Sequence, residues 1–387
     1  MEKKQSLRTF AGFMLLMIAL GASDAVRGVF TPIFSEHFSL NAGQLSAIVT
    51  SAYVGNLVFM LFGSPIVDKL PRRVSLIGLL ILWMCALSLY CITDSYPMLL
   101  VGAFLSLGCS TLLSTTTNLY TTMLFASSPG LMVNFLYFVQ CIGTSGGQSL
   151  VGNLAKSFGA WKIINLILIG MGLVAMLILL KGALPPKDAF GSKKTGGLKE
   201  IAASPAFWML IFIFATYFVA EHGIMNWLVA YANLELGIAM GTAANVVAVF
   251  YACIMVGRLI FSPLVDRLGV FRSIRYASLA ALVLFVIGTV SGAKLLWVIS
   301  VSGIFFSIIY PTLVMCISRF YHPSILSSAS GMIISIASLG DILFNAVFGS
   351  IVDAIGYAKA FLIMPGAMIV FTALVVVFTV RADKAGR

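Results

Sequence analysis

The octet Ser64-Pro-Ile-Val-Asp68-Lys-Leu-Pro71 is written into this chain four times, strictly or loosely. It returns as Ser262-Pro-Leu-Val-Asp266-Arg-Leu-Gly269, and looser copies stand at Gly152-Asn-Leu-Ala-Lys156-Ser-Phe-Gly159 and Gly349-Ser-Ile-Val-Asp353-Ala-Ile-Gly356. Each copy opens on a small residue, carries a charge four positions on, and closes on Pro or Gly. The steps are regular: 64 to 152 is 88 residues, 262 to 349 is 87, and 64 to 262 is 198. A fixed period of this kind means duplicated architecture. The fold has to be assembled from four related units grouped as two related halves.

The residues between the octets say what is repeated. The chain is 60% hydrophobic and only 10% charged, too little charge to solvate a globule of this length, and helices apolar on every side belong in lipid. Apolar stretches of roughly 20 residues or more fall near 9–33, 43–66, 74–93, 97–124, 130–155, 160–181, 206–232, 241–264, 272–291, 295–319, 327–351 and 358–380, which makes twelve. The first follows Lys3, Lys4 and Arg8, as the core of a signal peptide would. It also contains Asp24 and Arg27 and lacks a small-x-small cleavage site, so it reads as a true span. The longest break, 182–204, holds Pro185-Pro186 and Gly196-Gly197. It marks a linker between two six-helix halves, 1–181 and 205–387.

Orientation follows from the cations. With the N-terminus in the cytoplasm, Lys3, Lys4, Arg8, Lys69, Arg72, Arg73, Lys181, Lys187, Lys193, Lys194, Lys199, Arg258, Arg267, Arg272, Arg275, Arg319, Arg381, Lys384 and Arg387 fall inside. That is nineteen, against Lys156, Lys162, Lys294 and Lys359 outside. The positive-inside rule then places both termini in the cytoplasm, in an inner or plasma membrane. It also accounts for the net charge of +11 without a nucleic-acid partner, since the basic clusters are short and carry no interleaved aromatics. Cys85, Cys91, Cys109, Cys141, Cys253 and Cys316 all lie in apolar runs without ligand spacing. They read as small buried hydrophobes, with no disulfide framework, metal or cofactor implied.

On this topology the octets end spans two, five, eight and eleven, and so fall alternately inside and outside. Each closes the second helix of a three-helix unit, and successive units are inverted. The expected fold is an all-α membrane protein of twelve transmembrane helices, in two halves of two inverted three-helix repeats each. Other echoes share the period: Tyr53 matches Tyr251 at 198, and Gln148 matches Asn345 at 197. Asp68 and Asp266 stand where a carboxylate can pair with Arg72, Arg73 or Arg272, or with a neighbouring helix N-terminus. Such contacts are candidates for gating one end of the bundle; a solvated capping role is the alternative.

Polar groups inside the spans carry the remaining chemistry, because a charge at the bilayer centre costs about 2.5–3.5 kcal/mol on insertion scales. Asp24 and Arg27 are three apart on span one, close enough to pair. Glu221 on span seven stands 197 residues after Asp24, so the two acids are expected to face each other across the pseudo-symmetry, as candidate proton carriers. His222 lies about 100° round the helix from Glu221 and reads as a packed helix histidine. Asp341 and Asn345 on span eleven match Thr144 and Gln148 on span five; matched polar positions suggest cavity lining, with interhelical hydrogen bonding as the alternative. Tyr53, Tyr251, Trp227, Tyr310, Asn118, Gln140 and Asn226 could supply ring faces and amides for a polar solute. Gly146, Gly147 and Gly331 read as helix-contact or bending points.

The segment from Gly63 through Arg73, and its twin at 262–272, resemble the Gly-x-x-x-Asp-x-x-Gly-Arg-Arg loop motif of the major facilitator superfamily, with Pro71 and Val270 departing from the Gly-Arg-Arg ending. Three further stretches resemble its fucose/galactose/glucoside proton symporter branch. They are Gly303-Ile-Phe-Phe-Ser-Ile-Ile-Tyr310-Pro-Thr312, Ser114-Thr-Thr-Thr-Asn118-Leu-Tyr120 and Tyr217-Phe-Val-Ala-Glu221-His-Gly-Ile-Met-Asn-Trp227. The resemblance implies a span-one aspartate in sugar binding and proton coupling, which Asp24 fits. It also implies a span-four glutamate, where this chain has Ser114.

The expected function is therefore secondary transport of a small organic solute by alternating access, favouring a sugar-like solute coupled to protons (or sodium) in a monomer. Export of drugs or amphipathic metabolites is the alternative, and a non-transporting receptor on the same scaffold a third. No Gly-x-Gly-x-x-Gly, Gly-x4-Gly-Lys-Ser or His-Glu-x-x-His motif supports an enzyme or a nucleotide-driven pump.

Overall fold

A computed structural model describes residues 2–63, 66–67, 70–125, 129–185, 203–321 and 323–384. The chain divides into two compact units, Met1–Gly191 and Ser192–Arg387. The first unit holds α1 (Glu2–Val29), the short α2 (Thr31–Phe38), α3 (Ala42–Val58), α4 (Arg72–Ile92), α5 (Tyr96–Leu124), α6 (Pro129–Leu154) and α7 (Phe158–Leu180). The second holds α8 (Pro205–Ala230), α9 (Met240–Leu268), α10 (Val270–Val290), α11 (Trp297–Ser318), α12 (Pro323–Ile355), the short α13 (Tyr357–Ala360) and α14 (Ile363–Lys384). Five-residue π-helical turns extend α3 at Phe59–Gly63 and α8 at Tyr231–Glu235.

Eleven helices among the described residues are long and apolar enough to cross a membrane. The remaining one of the expected twelve is α6, helical over 26 residues but thinned of apolar side chains by Gln140, Thr144, Ser145, Gln148 and Ser149. A helix that spends its polar residues this freely cannot turn them all to lipid. Elsewhere the outward faces are apolar, for example Leu166, Ile167 and Leu177 on α7 and Val283 and Ile287 on α10.

The packing partners show the repeat directly. In the first unit α1 packs on α6 and α7, α5 packs on α3 and α4, and α4 packs on α7. In the second, α8 packs on α12 and α14, α11 packs on α9 and α10, and α10 packs on α14. These are the same five span pairs in each unit. Exchanging the first and second triplet of either unit also maps its set of pairs onto itself. Because a triplet crosses the membrane an odd number of times, the next one starts from the opposite face. The fold is the twelve-helix arrangement of inverted triplets.

Glycine sets how closely some of these pairs approach. A Cβ on Gly55 of α3 would stand 1.9 Å from the Phe104 carbonyl oxygen of α5, and one on Gly257 of α9 would stand 2.5 Å from that of Ile304 on α11. Two octet endings use glycine for a different reason: Gly269 and Gly356 break the helix at φ +82 and +79, a region that a side chain disfavours. Pro71 does the corresponding job as the residue capping α4. Of the glycines read as helix-contact or bending points, Gly147 is a contact point, where a Cβ would lie 3.1 Å from Ala22, whereas Gly146 and Gly331 have open space beside them and make no such contact. Cys85 is exposed where a buried cysteine was expected.

Candidate functional site

In the first unit the polar centre is built on the close approach of α1 and α6. A Cβ on Gly21 would lie 2.3 Å from the Gln140 carbonyl and 3.0 Å from Thr144 Oγ1, and one on Gly143 would lie 2.1 Å from the Ile18 carbonyl. This register brings Asp24, one turn beyond Gly21, level with Gln148, one turn beyond Thr144. Ser110 of α5 donates to Asp24 Oδ2 at 2.7 Å. The other carboxylate oxygen, Oδ1, is 4.0 Å from Arg27 Nη2 and has no hydrogen-bond partner although buried. Arg27 in turn hydrogen-bonds the Tyr90 hydroxyl, which lies 3.1 Å from Ser106 Oγ. Thr144 spends its hydroxyl on the Gln140 carbonyl in its own helix, at 3.2 Å. Gln148 is buried to 1% exposure and its Oε1 has no partner; nor have the buried Oδ1 atoms of Asn118 and Asn56.

The second unit solves the same positions differently. Asp341 of α12 contacts His222 of α8 through Oδ2 and Nδ1 at 2.6 Å. Its Oδ1 accepts from Asn345 Nδ2 at 3.0 Å. Asn345 Oδ1 accepts from Trp227 Nε1 at 3.0 Å and from Asn226 Nδ2 at 3.5 Å. Asp341, Asn345 and Trp227 are fully buried, and the His222 ring stacks on Phe218 at 5.2 Å. Beside this chain, Glu221 is hydrogen-bonded to the Tyr217 hydroxyl, which also feels Arg258 and Tyr251 of α9. Tyr310 stands in an aromatic cluster with Phe214, Tyr217 and Phe218. Tyr53 and Tyr251 are buried in their own units.

Several sequence expectations meet a specific outcome here. His222 is not merely packed: it holds the carboxylate of Asp341. Arg258, counted with the loop cations, lies inside α9 among the ionisable groups of the spans. Ser110, Ser106, Tyr90, Tyr217, Arg258, His222 and Asn56 are functional candidates outside the first set. Ser106 and Ser110 stand one turn apart on α5, but the same helix carries Thr111, Ser114, Thr115, Thr116, Thr117 and Asn118, so its sequence did not single them out.

The gating set is only partly in view. Asp68 lies outside the described residues, as does the linker over 186–202, and Asp266 is described as a position in α9 without its side chain. Arg72 is buried, with its guanidinium over the Tyr120 ring at 5.2 Å and Nη1 3.0 Å from Met123 Sδ. Arg73 donates to the Gly182 carbonyl at 2.7 Å. Arg272 is exposed, and the ion pair at that end joins Arg275 to Asp383 at 2.7 Å.

Comparison with known proteins converges on one family. The sequence profile described as Major Facilitator Superfamily matches residues 12–344. A glucose/galactose transporter of Brucella abortus biovar 1 is 24% identical over 376 residues, 90% of this chain and 88% of that protein. Protein TsgA of Escherichia coli O157:H7 is 24% identical over 366 residues, 89% of this chain and 88% of its own. Among solved structures, a point mutant of the nucleoside transporter NupG superposes with a TM-score of 0.78 at 14% identity, covering 96% of this chain and 99% of that one. The transporter FucP in its outward conformation gives 0.64 at 21% identity, covering 96% and 98%. At such identities the structural likeness speaks for the fold alone.

Proposed function

Because the chain belongs to the major facilitator superfamily, and is thus a multi-pass membrane transporter and not an enzyme, we propose that it moves a sugar-like, multiply hydroxylated solute in symport with protons. The observation that carries this reading is a set of buried oxygen acceptors with no donor: Asp24 Oδ1, Asn118 Oδ1 and Gln148 Oε1, all in the first unit. A buried acceptor left unpaired costs about 1–3 kcal/mol, and a ligand that brings hydroxyl donors recovers it. Sugars do so; amphipathic cations and hydrocarbon-rich drugs do not, which weighs against the exporter reading. The name borne by the Brucella relative agrees in solute class.

Asp24 grips the solute through Oδ1 while Ser110 fixes Oδ2, and Gln148 supplies a second acceptor level with it. Proton coupling runs through the buried ionisable groups, of which Asp24 and Glu221 occupy matched positions of the two units. The protein sits in an inner or plasma membrane with both termini in the cytoplasm, as the distribution of Lys and Arg argues. The test is uptake of labelled D-galactose, L-fucose, D-xylose and uridine into proteoliposomes, with and without a proton gradient. One or more is concentrated when the lumen is alkaline, and Gln148→Leu weakens its apparent affinity about tenfold, the equivalent of 1.4 kcal/mol. Uptake unaffected by Gln148→Leu and Asp24→Asn together, or protection against lipophilic cations with no sugar uptake, overturns the reading.

A further inference from the structure

The second unit contains a buried acid–base pair whose geometry differs from every other ionisable contact among the described residues. The side chains of Asp341 and His222 are 2% and 26% exposed, and their 2.6 Å separation is that of a charge-assisted hydrogen bond. One proton shared across Oδ2 and Nδ1 leaves the pair neutral overall, either as imidazolium and carboxylate or as imidazole and carboxylic acid.

The surrounding amides fix where a second proton can go. Asn345 Oδ1 accepts from Trp227 and Asn226, so the same amide must turn its Nδ2 donors to Asp341. Asp341 Oδ1 therefore always faces a donor, and an added proton settles on Oδ2. The Nδ1–H of the imidazolium then faces the hydroxyl oxygen of a neutral acid, a far poorer acceptor than a carboxylate, and the charge-assisted contact at 2.6 Å is lost. Loading one proton from water onto Oδ2 opens the His222–Asp341 link between α8 and α12; its release to water closes it again. The Asn345 bonds to Trp227 and Asn226 stay, holding the two helices in register.

We infer that the His222–Asp341 pair is the proton-carrying group of the second unit, with Asn345 and Trp227 as its positioning residues. This assignment rests on the proton symport proposed above, and it moves Asp341 from solute lining to coupling. The charged and titratable groups around it are few. Glu221 precedes His222 in the chain and acts on it electrostatically, and Tyr217 lies one turn away. From α9 come Tyr251 and Arg258, and from α11 comes Tyr310 against Phe218. From α14 the contacts are apolar, Met364 at Gly223 and Phe371 at Tyr217. On α12 itself the next carboxylate, Asp353, is more than three turns along. The matched positions in the first unit are Thr144 for Asp341 and Ala25 for His222, so this pair has no counterpart there.

The experiment pairs a transport assay with a measurement that needs no solute. In proteoliposomes, with whichever of D-galactose, L-fucose, D-xylose and uridine the wild type concentrates, His222→Gln is expected to bring the concentration ratio under a proton gradient to unity. Counterflow of labelled against unlabelled solute is expected to continue. A His222→Gln protein that still concentrates the solute overturns this inference and leaves symport standing. A wild type that equilibrates a probe without concentrating it overturns symport and the inference together. Independently, infrared difference spectra of the purified full chain, titrated between about pH 5 and pH 9, are expected to contain a protonated-carboxyl band that Asp341→Asn removes and His222→Gln displaces. If every carboxyl band of the wild type survives in Asp341→Asn, the pair carries no proton whatever the solute. Asn345→Asp retains an acceptor for Trp227 but loses the donor to Asp341, so it is expected to displace the band without deleting it.

Discussion

Spans one and five of the first unit correspond, position by position, to spans seven and eleven of the second, yet the two pairs are held together by different forces. Gly143 matches Gly340 at 197, and Ile18 matches Ala215 at the same step. A Cβ on Gly143 would lie 2.1 Å from the Ile18 carbonyl, whereas one on Gly340 would lie 3.1 Å from the Ala215 methyl. The neighbouring matches explain the difference: Gly21 and Gly147 in the first unit answer to Phe218 and Phe344 in the second. Glycine lets the backbones of α1 and α6 touch, as small residues do in membrane helix pairs. In the second unit the link between α8 and α12 is made by polar side chains, His222 to Asp341 and Trp227 and Asn226 to Asn345. So Thr144 turns back to its own helix while Asp341 reaches His222, and Gln148 keeps an unpartnered oxygen while Asn345 bonds three neighbours. The first unit leaves buried acceptors unpaired, and the second pairs the matched groups with one another.

Removal of the amide at the centre of that pairing is expected to have the largest effect. Asn345→Ala leaves Asp341 Oδ1, Trp227 Nε1 and Asn226 without their partner, at about 1–3 kcal/mol per stranded group. Thermal unfolding of the purified protein should show a loss several times that of Gln148→Ala, its match in the first unit. Equal losses would mean that the two span pairs are held in the same way. Next, Gly143→Ala forces a methyl onto a backbone carbonyl and is expected to cost about 1–3 kcal/mol. Gly340→Ala makes a tight contact of 3.1 Å with the Ala215 methyl instead of overlapping a backbone carbonyl, and is expected to cost less than Gly143→Ala. A ranking of the two in the reverse order breaks the comparison. The smallest effect is expected from Ser110→Ala, which removes one hydroxyl from Asp24, for about 1 kcal/mol or less in a membrane interior. Its consequence should be in transport, as a weakened affinity for the solute.

Much of this fold could be read in the chain before any coordinates. The octets at 64, 152, 262 and 349 fixed the number of units, and the odd number of spans between successive copies fixed their inversion. The glycines at 269 and 356 break their helices where the octets end. The candidate site was legible only as a set of positions. Asp24, Gln148, Asp341 and Asn345 stood out because polar groups are costly in lipid; spacing foretold the neighbour of Asp24 on its own helix, Arg27, but not which groups would meet a partner on another helix. His222 shows why. On a single helix it points away from Glu221, and the 119 residues between it and Asp341 carry no periodic signal that would join them. Arg258 was counted with the cytoplasmic-side cations although it stands within the span read at 241–264, and its place beside Tyr217 came only from the structure.

Local pattern by itself settled that this polypeptide crosses a membrane twelve times in four alternately inverted triplets: apolar helices of that length have to span lipid, and the fourfold octet groups them by three. Which of its rare polar groups bind one another, and which keep a lone pair available, was decided only by the packed structure. The reason is distance in space: residues more than a hundred positions apart meet only through the packing of their helices, backbone against glycine between α1 and α6 and side chain to side chain between α8 and α12.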